Sequence, residues 1–223
     1  SADEVPSESE GRLSGRARWV APLTRGGVAI VGARGRDGLT ASAVSLESPG
    51  ITAEPIQTAG LSGLVCGHVL FDGTPSIALG ATMPIMARVR LLLTAAGLGI
   101  GRRALHEALT AAQGHTPRGA GGEQTVQGLL ADAATELDAA TLLTWKAATA
   151  SELSLADASM AKLAATEATQ RAVARATQVV GVDSFRSGHI VERLAQDVRA
   201  LELFAGRTEA LREAVALETL PRS

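Results

Sequence analysis

The 223-residue chain contains no tyrosine, three phenylalanines, two tryptophans and a single cysteine. One cysteine excludes an internal disulfide, and because Cys66 lies in the apolar run LVCGHVLF we expect a buried, inert thiol. The net charge of −2 gives no basis for a nucleic-acid partner or an anionic membrane surface. We also find neither an apolar run of the about 20 residues that span a bilayer nor a signal-peptide pattern. These absences favour a cytoplasmic protein with a small-molecule or protein partner.

The familiar spacings of metal and catalytic sites are missing as well. The four histidines have no C-x-x-C, H-E-x-x-H or i, i+4 partner, so we expect no metal centre. Gly97, Gly99 and Gly101 lie inside an apolar helical run and do not follow a strand, which argues against a dinucleotide fingerprint. We interpret these three glycines as sites of close helix contact.

The first third of the chain has the sequence pattern of a small β-sheet. Residues 1–11 combine Ser, Glu, Asp and Pro with few apolar side chains and predict a disordered acidic tail. Residues 12–80 hold short β-prone runs separated by Gly and Pro: RARWVA, GVAIVGA, LTASAVSLE, ITAEPIQ and GHVLFDG. They predict a partial β-domain of about five antiparallel strands, which needs a covering layer.

Residues 81–223 provide that layer, because they are rich in Ala and Leu and show helical spacing of apolar positions. The predicted helices run over about Pro84–Gln113, Glu123–Ser151, Leu155–Val180, Ser187–Phe204 and Thr208–Leu220. The expected fold class is therefore α+β: a short antiparallel β segment followed by an up-and-down bundle of four or five helices.

Five segments resemble, in the same order, parts of the acyl-CoA dehydrogenase family. GRLSGRARWVAP resembles the family strand L-x-G-x-K-x-W-I-T-N/S, and ARVRLLLTAAGLGIGRRAL is similar to its first bundle helix, R-x-x-x-A-A-x-x-x-G-I. QGLLADAATELDAATLLTWKAA is the best match, to Q-x-x-L-A-D-M-A-T-E-L-E-A-A-R-L-L. ASMAKLAATEATQRAVARATQVVG resembles the A-x-x-A-K-x-x-A-x-E helix, and IVERLAQD the opening of the next one. The resemblance implies the later β-domain strands and the C-terminal helical bundle, without the family's N-terminal helical domain.

The resemblance also implies a chemistry, in which a carboxylate removes the α-proton of an acyl thioester while a β-hydride passes to flavin N5. The usual base is the Glu of a Y-E-G-T motif, and the matching position here is Ala205. In a minority of members the base precedes the arginine that Arg90 matches, and that position is Val89. Glu202 is the nearest carboxylate and a weak candidate base; the alternative is a surface or ion-paired glutamate.

Two of the four candidate FAD-binding residues that the resemblance implies lie in a strand and a loop. Trp19 matches the residue whose indole packs near the isoalloxazine, although a core role is equally open and the nearby Pro22 has no N–H to donate. Arg118 could replace the arginine of the R-x-x-F-G loop, which holds the FAD pyrophosphate across a subunit interface. Its alternative role is that of a solvated loop arginine.

The other two candidates, Gln178 and Gly181, remain from the family's Q-x-x-G-G-x-G-Y break. Val182 and Ser184 replace glycines of that motif, and Asp183 adds a negative charge, so the segment predicts a poor phosphate cradle. Gln178 and Gly181 could therefore persist as helix-end residues.

Two functions stay open on this basis, and whether the protein is an enzyme is undecided. The first is a truncated, catalytically degenerate family member that acts as a structural or partner subunit, in a homo-oligomer or with a full-length acyl-CoA dehydrogenase-like chain. The alternative is an FAD-dependent oxidoreductase that introduces a double bond into an acyl thioester, with its flavin site completed by another chain.

Overall fold

The computed structural model describes residues 5–114 and 124–220. The chain divides into two compact units, Ser1–Ile85 and Met86–Ser223. This division falls a few residues beyond the expected boundary at residue 80. The α+β fold class predicted from the sequence is confirmed, with strands in the first unit and helices in the second.

The first unit contains a seven-stranded sheet in the order β5-β6-β2-β1-β3-β4-β7. Its strands are β1 Ser7–Ser9, β2 Arg12–Val20, β3 Val28–Gly35, β4 Gly38–Ser45, β5 Ile51–Ile56, β6 Cys66–Pro75 and β7 Ile77–Ala81. The five predicted strand segments correspond to β2 through β6, whereas β1 and β7 were not expected. The sheet is mixed, because β1 runs parallel to β3 while all other neighbours are antiparallel.

The expectation that residues 1–11 are disordered is wrong for residues 7–9, which form β1. Glu10 and Gly11 both have positive φ angles, of 52° and 73°. Two consecutive residues of this kind make the tight hairpin turn that matches the twist of paired strands. The turn folds β1 back onto β2, so that backbone pairing orders a segment with almost no apolar side chains.

The core of the first unit follows from the two-residue alternation of its strands. In β3, Ala29, Val31 and Ala33 are buried, while Val28 and Ile30 between them are exposed. Facing strands complete this core with Leu13, Ala17, Val44, Val69 and Phe71. Cys66 is buried and unpaired, as expected, and burial raises the pKa of its thiol.

The second unit is a helical bundle. Its helices are α1 Thr82–Gly114 (whose first turn lies in the first unit), α2 Gln124–Ala148, α3 Leu155–Val180, α4 Ile190–Leu203 and α5 Thr208–Thr219, with a 3-10 turn at Gly181–Phe185. Helix α3 is the buried centre, and α2, α4 and α5 all pack against it. The sequence predicts both ends of α3, because Ser154 caps its first turn and Gly181, with φ of 73°, ends it.

Close helix contact is confirmed for only one of the three α1 glycines. A Cβ atom added to Gly101 would lie 2.5 Å from Leu137 Cδ2 and 2.9 Å from Thr169 Oγ1. A Cβ added to Gly97 or Gly99 would meet nothing within 4 Å. A side chain at Gly101 would therefore be crowded by α2 and α3, whereas Gly97 and Gly99 leave room for a Cβ atom and lower the helix propensity of α1.

Helix α1 departs from the expectation that no segment resembles a membrane span. By length and composition, residues 82–113 are apolar enough to cross a bilayer. A core helix of a soluble protein passes the same test, but only 28% of the most apolar 18-residue window of α1 is buried. The helix thus leaves much of its apolar surface uncovered.

Candidate functional site at the turn between α4 and α5

The candidate site is the short turn that joins α4 to α5. Ala205 and Gly206 both have positive φ angles, of 57° and 115°. This is a conformation that alanine adopts at a cost and glycine adopts freely. Ala205 occupies the position at which the family resemblance places the catalytic carboxylate, and a methyl side chain can neither accept nor donate a proton.

The carbonyl oxygen of Ala205 is held by a buried arginine of α1. Arg90 is 8% exposed; its Nε donates to Ala205 O at 2.9 Å and its Nη1 donates to Ser159 Oγ at 2.5 Å. Burial lowers the pKa of the Arg90 guanidinium. A Cβ at Gly206 would lie 3.0 Å from Arg90 Nη2, so a residue without a side chain fits best beside this guanidinium.

A second buried cation, Lys162 of α3, holds the next carbonyl of the turn. Its side chain is 2% exposed, and Nζ donates to Gly206 O at 3.2 Å and to Glu202 O at 3.4 Å. Burial, followed by the nearby Arg90, lowers the pKa of Lys162 to about 8, against an opposing effect of Glu202. Both cations are therefore bound by neutral backbone oxygens.

Sequence reasoning missed Lys162, although a signal existed. The residue lies one position after Ala161 and three before Ala165, on the face of α3 that small buried residues cover. A lysine on the buried face of a helix is uncommon without a polar partner. Its partners are backbone oxygens 40 and 44 positions later, which no spacing in the sequence reveals.

The weak candidate base, Glu202, is neither a free surface residue nor positioned on the turn itself. Its side chain is half-buried in α4; Oε2 accepts from Gln170 Nε2 at 2.7 Å and Oε1 accepts from Thr208 Oγ1 at 3.2 Å. Its negative charge also acts to raise the pKa of Lys162. These contacts make Glu202 a structural acceptor that ties α3 to the start of α5. The other family base position, Val89, carries a half-buried valine.

At the end of α3, the two retained motif residues differ in role. The N–H of Gly181 donates to Thr177 O and ends the helix, which is the helix-end role considered from the sequence, while Gln178 is exposed on the last turn. Ser184 is buried and its Oγ donates to Gly181 O at 2.6 Å. Val182 is 83% exposed.

The segment from 181 to 185 does not fit the pyrophosphate of FAD. A phosphate cradle needs free N–H groups and room for close approach. Here an exposed valine replaces one glycine and the hydroxyl of Ser184 is bound to the backbone. The exposed Asp183, 3.9 Å from Arg186, adds negative charge. No chemical step is therefore assigned to a flavin at this segment.

Trp19 in β2 is 54% exposed, so the core role considered for it is wrong. Its φ angle of 57° is unusual for a bulky residue and holds the indole outward, edge-on to His68 with ring centroids 6.0 Å apart. The indole thus offers an accessible flat surface.

Arg118, the fourth candidate, lies outside the described residues. Among the described residues, no group of three or more His, Cys, Asp or Glu side chains could hold a metal ion.

A small sheet followed by a bundle of helices is the fold class that the family resemblance implies, and the comparisons with known proteins agree. Residues 79–220 match the family model "Acyl-CoA dehydrogenase, C-terminal domain". The short-chain specific mitochondrial acyl-CoA dehydrogenase of Homo sapiens is 28% identical over 225 residues, covering 92% of this chain and 55% of the relative. The chain belongs to the acyl-CoA dehydrogenase family.

Solved structures give the same result. A structure described as a Tcur3481-Tcur3483 steroid ACAD variant has a TM-score of 0.85 and 25% identity, covering 96% of this chain and 61% of that one. Butyryl-CoA dehydrogenase of Megasphaera elsdenii shares the fold with a TM-score of 0.87 at 20% identity, covering 98% and 63%. The chain thus spans about half the length of the curated relatives it matches. The homologues in this family are FAD flavoproteins.

Proposed function

We propose that this chain is a catalytically degenerate acyl-CoA dehydrogenase-like subunit that serves as a structural or partner subunit in an oligomer. The observation that carries this proposal is the α4–α5 turn, where Ala205 stands at the family's base position. The groups of the turn that bind Arg90 and Lys162 are backbone carbonyls. A proton-abstracting carboxylate has thus been replaced by a structural contact.

Two further features support the same proposal. The 181–185 segment offers no phosphate cradle, and Glu202 is engaged by two hydrogen-bond donors on other helices. A base must reach the α-carbon of its substrate, and a carboxylate held this way can do so only if those contacts break. A partner role agrees with the relative whose name joins two components, Tcur3481 and Tcur3483.

The competing function is an FAD-dependent oxidoreductase whose flavin site is completed by another chain. Trp19 favours it, because a strained, outward-facing indole at the family's flavin-neighbour position is available to a planar ring. In that case Glu202 is the candidate base.

An absorption spectrum separates the two functions. We expect the purified chain to be colourless and to take up no FAD in titrations, alone or with a full-length acyl-CoA dehydrogenase as partner. Stoichiometric flavin absorbance in the isolated chain would overturn the degenerate function. If flavin is bound, loss of acyl-CoA oxidation in Glu202→Gln, with flavin retained, would identify Glu202 as the base.

A further inference from the structure

Helix α5 is attached to the bundle by little buried apolar surface. Within α5, whose residues the structure describes in full, Leu211 alone is buried. The neighbouring helix α4 buries four apolar side chains: Val191, Leu194, Val198 and Leu201. The last turn of α5 has no covered side, since residues 216–219 are all exposed. Burial of an apolar side is the main source of helix stability in a protein, so packing holds α5 less firmly than α4.

Further contacts that hold α5 in place are polar. Arg212 Nη2 donates to Glu167 Oε1 of α3 at 2.8 Å, although the Arg212 side chain is 60% exposed. At the start of α5, Thr208 Oγ1 donates to Glu202 Oε1 at 3.2 Å. An exposed ion pair and a single hydrogen bond each contribute little, because water competes for the same groups. Helix α5 can therefore separate from the bundle at a lower free energy than the other helices need to unfold.

The turn before α5 has the backbone of a hinge. Gly206 has a φ angle of 115°, which glycine adopts freely, and Ala205 has one of 57°. Phe204 and Arg207 on either side are extended, with ψ angles of 142° and 162°. Arg207 is the N-cap residue of α5 and makes no side-chain capping hydrogen bond. Rotation at these few positions would swing α5 without disturbing the packed side of α4.

A buried lysine fastens this hinge from another helix. Lys162 of α3 donates through Nζ to Gly206 O at 3.2 Å, so separation of α5 from α3 would break this contact and let water reach the amine. Burial, followed by the nearby Arg90, lowers the pKa of Lys162 to about 8, against an opposing effect of Glu202. In water a lysine has its ordinary pKa, so a state with α5 detached binds the proton more tightly than the closed state.

We propose that α5 is a latch, hinged at Ala205 and Gly206, which opens while α1 to α4 stay folded and closes more tightly as Lys162 loses its proton. Opening separates Lys162 from Gly206 O and admits water to the turn at the family's base position. The charges that act on Lys162 come from Arg90 of α1 and Glu202 of α4. Arginine stays charged across this pH range, so the proton that changes is on Lys162. Opening is therefore favoured below about pH 8 and opposed as the pH rises towards 10.5.

The test is hydrogen exchange of the full chain, followed by mass spectrometry at about pH 7 and about pH 9.5 and corrected for the intrinsic pH dependence of amide exchange. We expect the amides of α5 to exchange at least about tenfold faster than those of α3. The protection of α5 should rise about tenfold or more between the two pH values. In Lys162→Met it should not change with pH, whereas Lys146→Met, which alters an exposed lysine of α2, should keep the rise.

A second pair of variants tests the attachment of α5 without changing Lys162. Arg212→Gln removes the ion pair with Glu167 and should speed the exchange of α5 by about two- to fivefold at both pH values, with α3 unchanged. Glu213→Gln, at the next residue of α5, is the matched control; its position is exposed, and the exchange of α5 should stay as in the wild type.

Equal protection of α5 and α3 in the wild type would overturn the latch, because α5 would then open only when the whole unit unfolds. Protection of α5 that does not depend on pH in the wild type would overturn the role of Lys162, and this readout holds even if Lys162→Met fails to fold. Neither flavin nor acyl-CoA enters the experiment, so its outcome is independent of the proposed catalytic degeneracy.

Discussion

The Nζ atom of Lys162 lies 3.2 Å from the carbonyl oxygen of Gly206, and with Arg90 it places two buried cations against one turn. Such an arrangement is costly for the charged lysine, because neutral oxygens compensate the lost hydration only in part. The cost shows in the Lys162 pKa, which falls from 10.5 to about 8. Since the unfolded chain has the ordinary value, the two states bind different numbers of protons.

The first prediction concerns pH and Lys162. Between pH 8 and about 10.5 the unfolded state binds more protons than the folded state, so the free energy of unfolding should rise with pH across this window. Below about pH 8 the penalty of the buried charge is present in full. Chemical denaturation at several pH values should show the rise in wild type and lose it in Lys162→Met. The control is Lys146→Met, which changes an exposed lysine and should keep the rise in the free energy of unfolding with pH. The same pH dependence in all three proteins would contradict the prediction.

A second prediction concerns acid stability and Glu136. Hydrogen bonding to Arg175 is the main reason that the pKa of Glu136 falls from 4.5 to about 2. A lowered carboxyl pKa stabilises the folded state above pH 4.5, and this contribution is lost as the pH falls from 4.5 towards 2. Because Glu136 keeps some contact with water, we expect it to contribute about 1–2 kcal/mol to the free energy of unfolding at neutral pH. Glu136→Gln should lose that amount and flatten the acid limb of an unfolding profile, whereas Glu152→Gln, at an exposed position, should leave both unchanged.

The helices that carry these residues were largely predictable, but their joint site was not. Both ends of helix α3 were predicted, and the structure places a capping serine, Ser154, at its start and Gly181 at its end. Strand β1 was missed because its order comes from pairing with β2 and not from its own polar side chains. The contact of Arg90 with Ala205 joins residues 115 positions apart, and no local pattern encodes it. The family resemblance indicated that the turn at Ala205 was the position to inspect. Only the fold showed that Lys162 binds this turn, at Gly206 O.

The third prediction tests packing between α1, α2 and α3. Gly101→Ala would place a Cβ 2.5 Å from Leu137 Cδ2 and 2.9 Å from Thr169 Oγ1, so these side chains or the helices that carry them must shift. We expect a loss of about 1–3 kcal/mol in the free energy of unfolding. Gly97→Ala is the matched control on the same helix, where a Cβ meets nothing within 4 Å. It should be neutral or stabilise by up to about 1 kcal/mol through higher helix propensity. Equal destabilisation by both variants, measured by urea denaturation, would contradict this account of Gly101.

The final prediction concerns the backbone of Ala205, which has a φ angle of 57° at the family's base position. A residue with a Cβ atom pays roughly 1 kcal/mol for this left-handed conformation, and glycine does not. The contact that matters here, from Arg90 Nε, goes to the backbone carbonyl and does not need the methyl group. Ala205→Gly should therefore raise the thermal midpoint, against the usual effect of glycine. Ala216→Gly, inside α5, should lower the midpoint, because the ordinary helix penalty of glycine lowers the free energy of unfolding by about 1 kcal/mol. If Ala205→Gly lowers the midpoint as well, the packing of the Ala205 methyl group stabilises the turn by more than its left-handed backbone conformation costs.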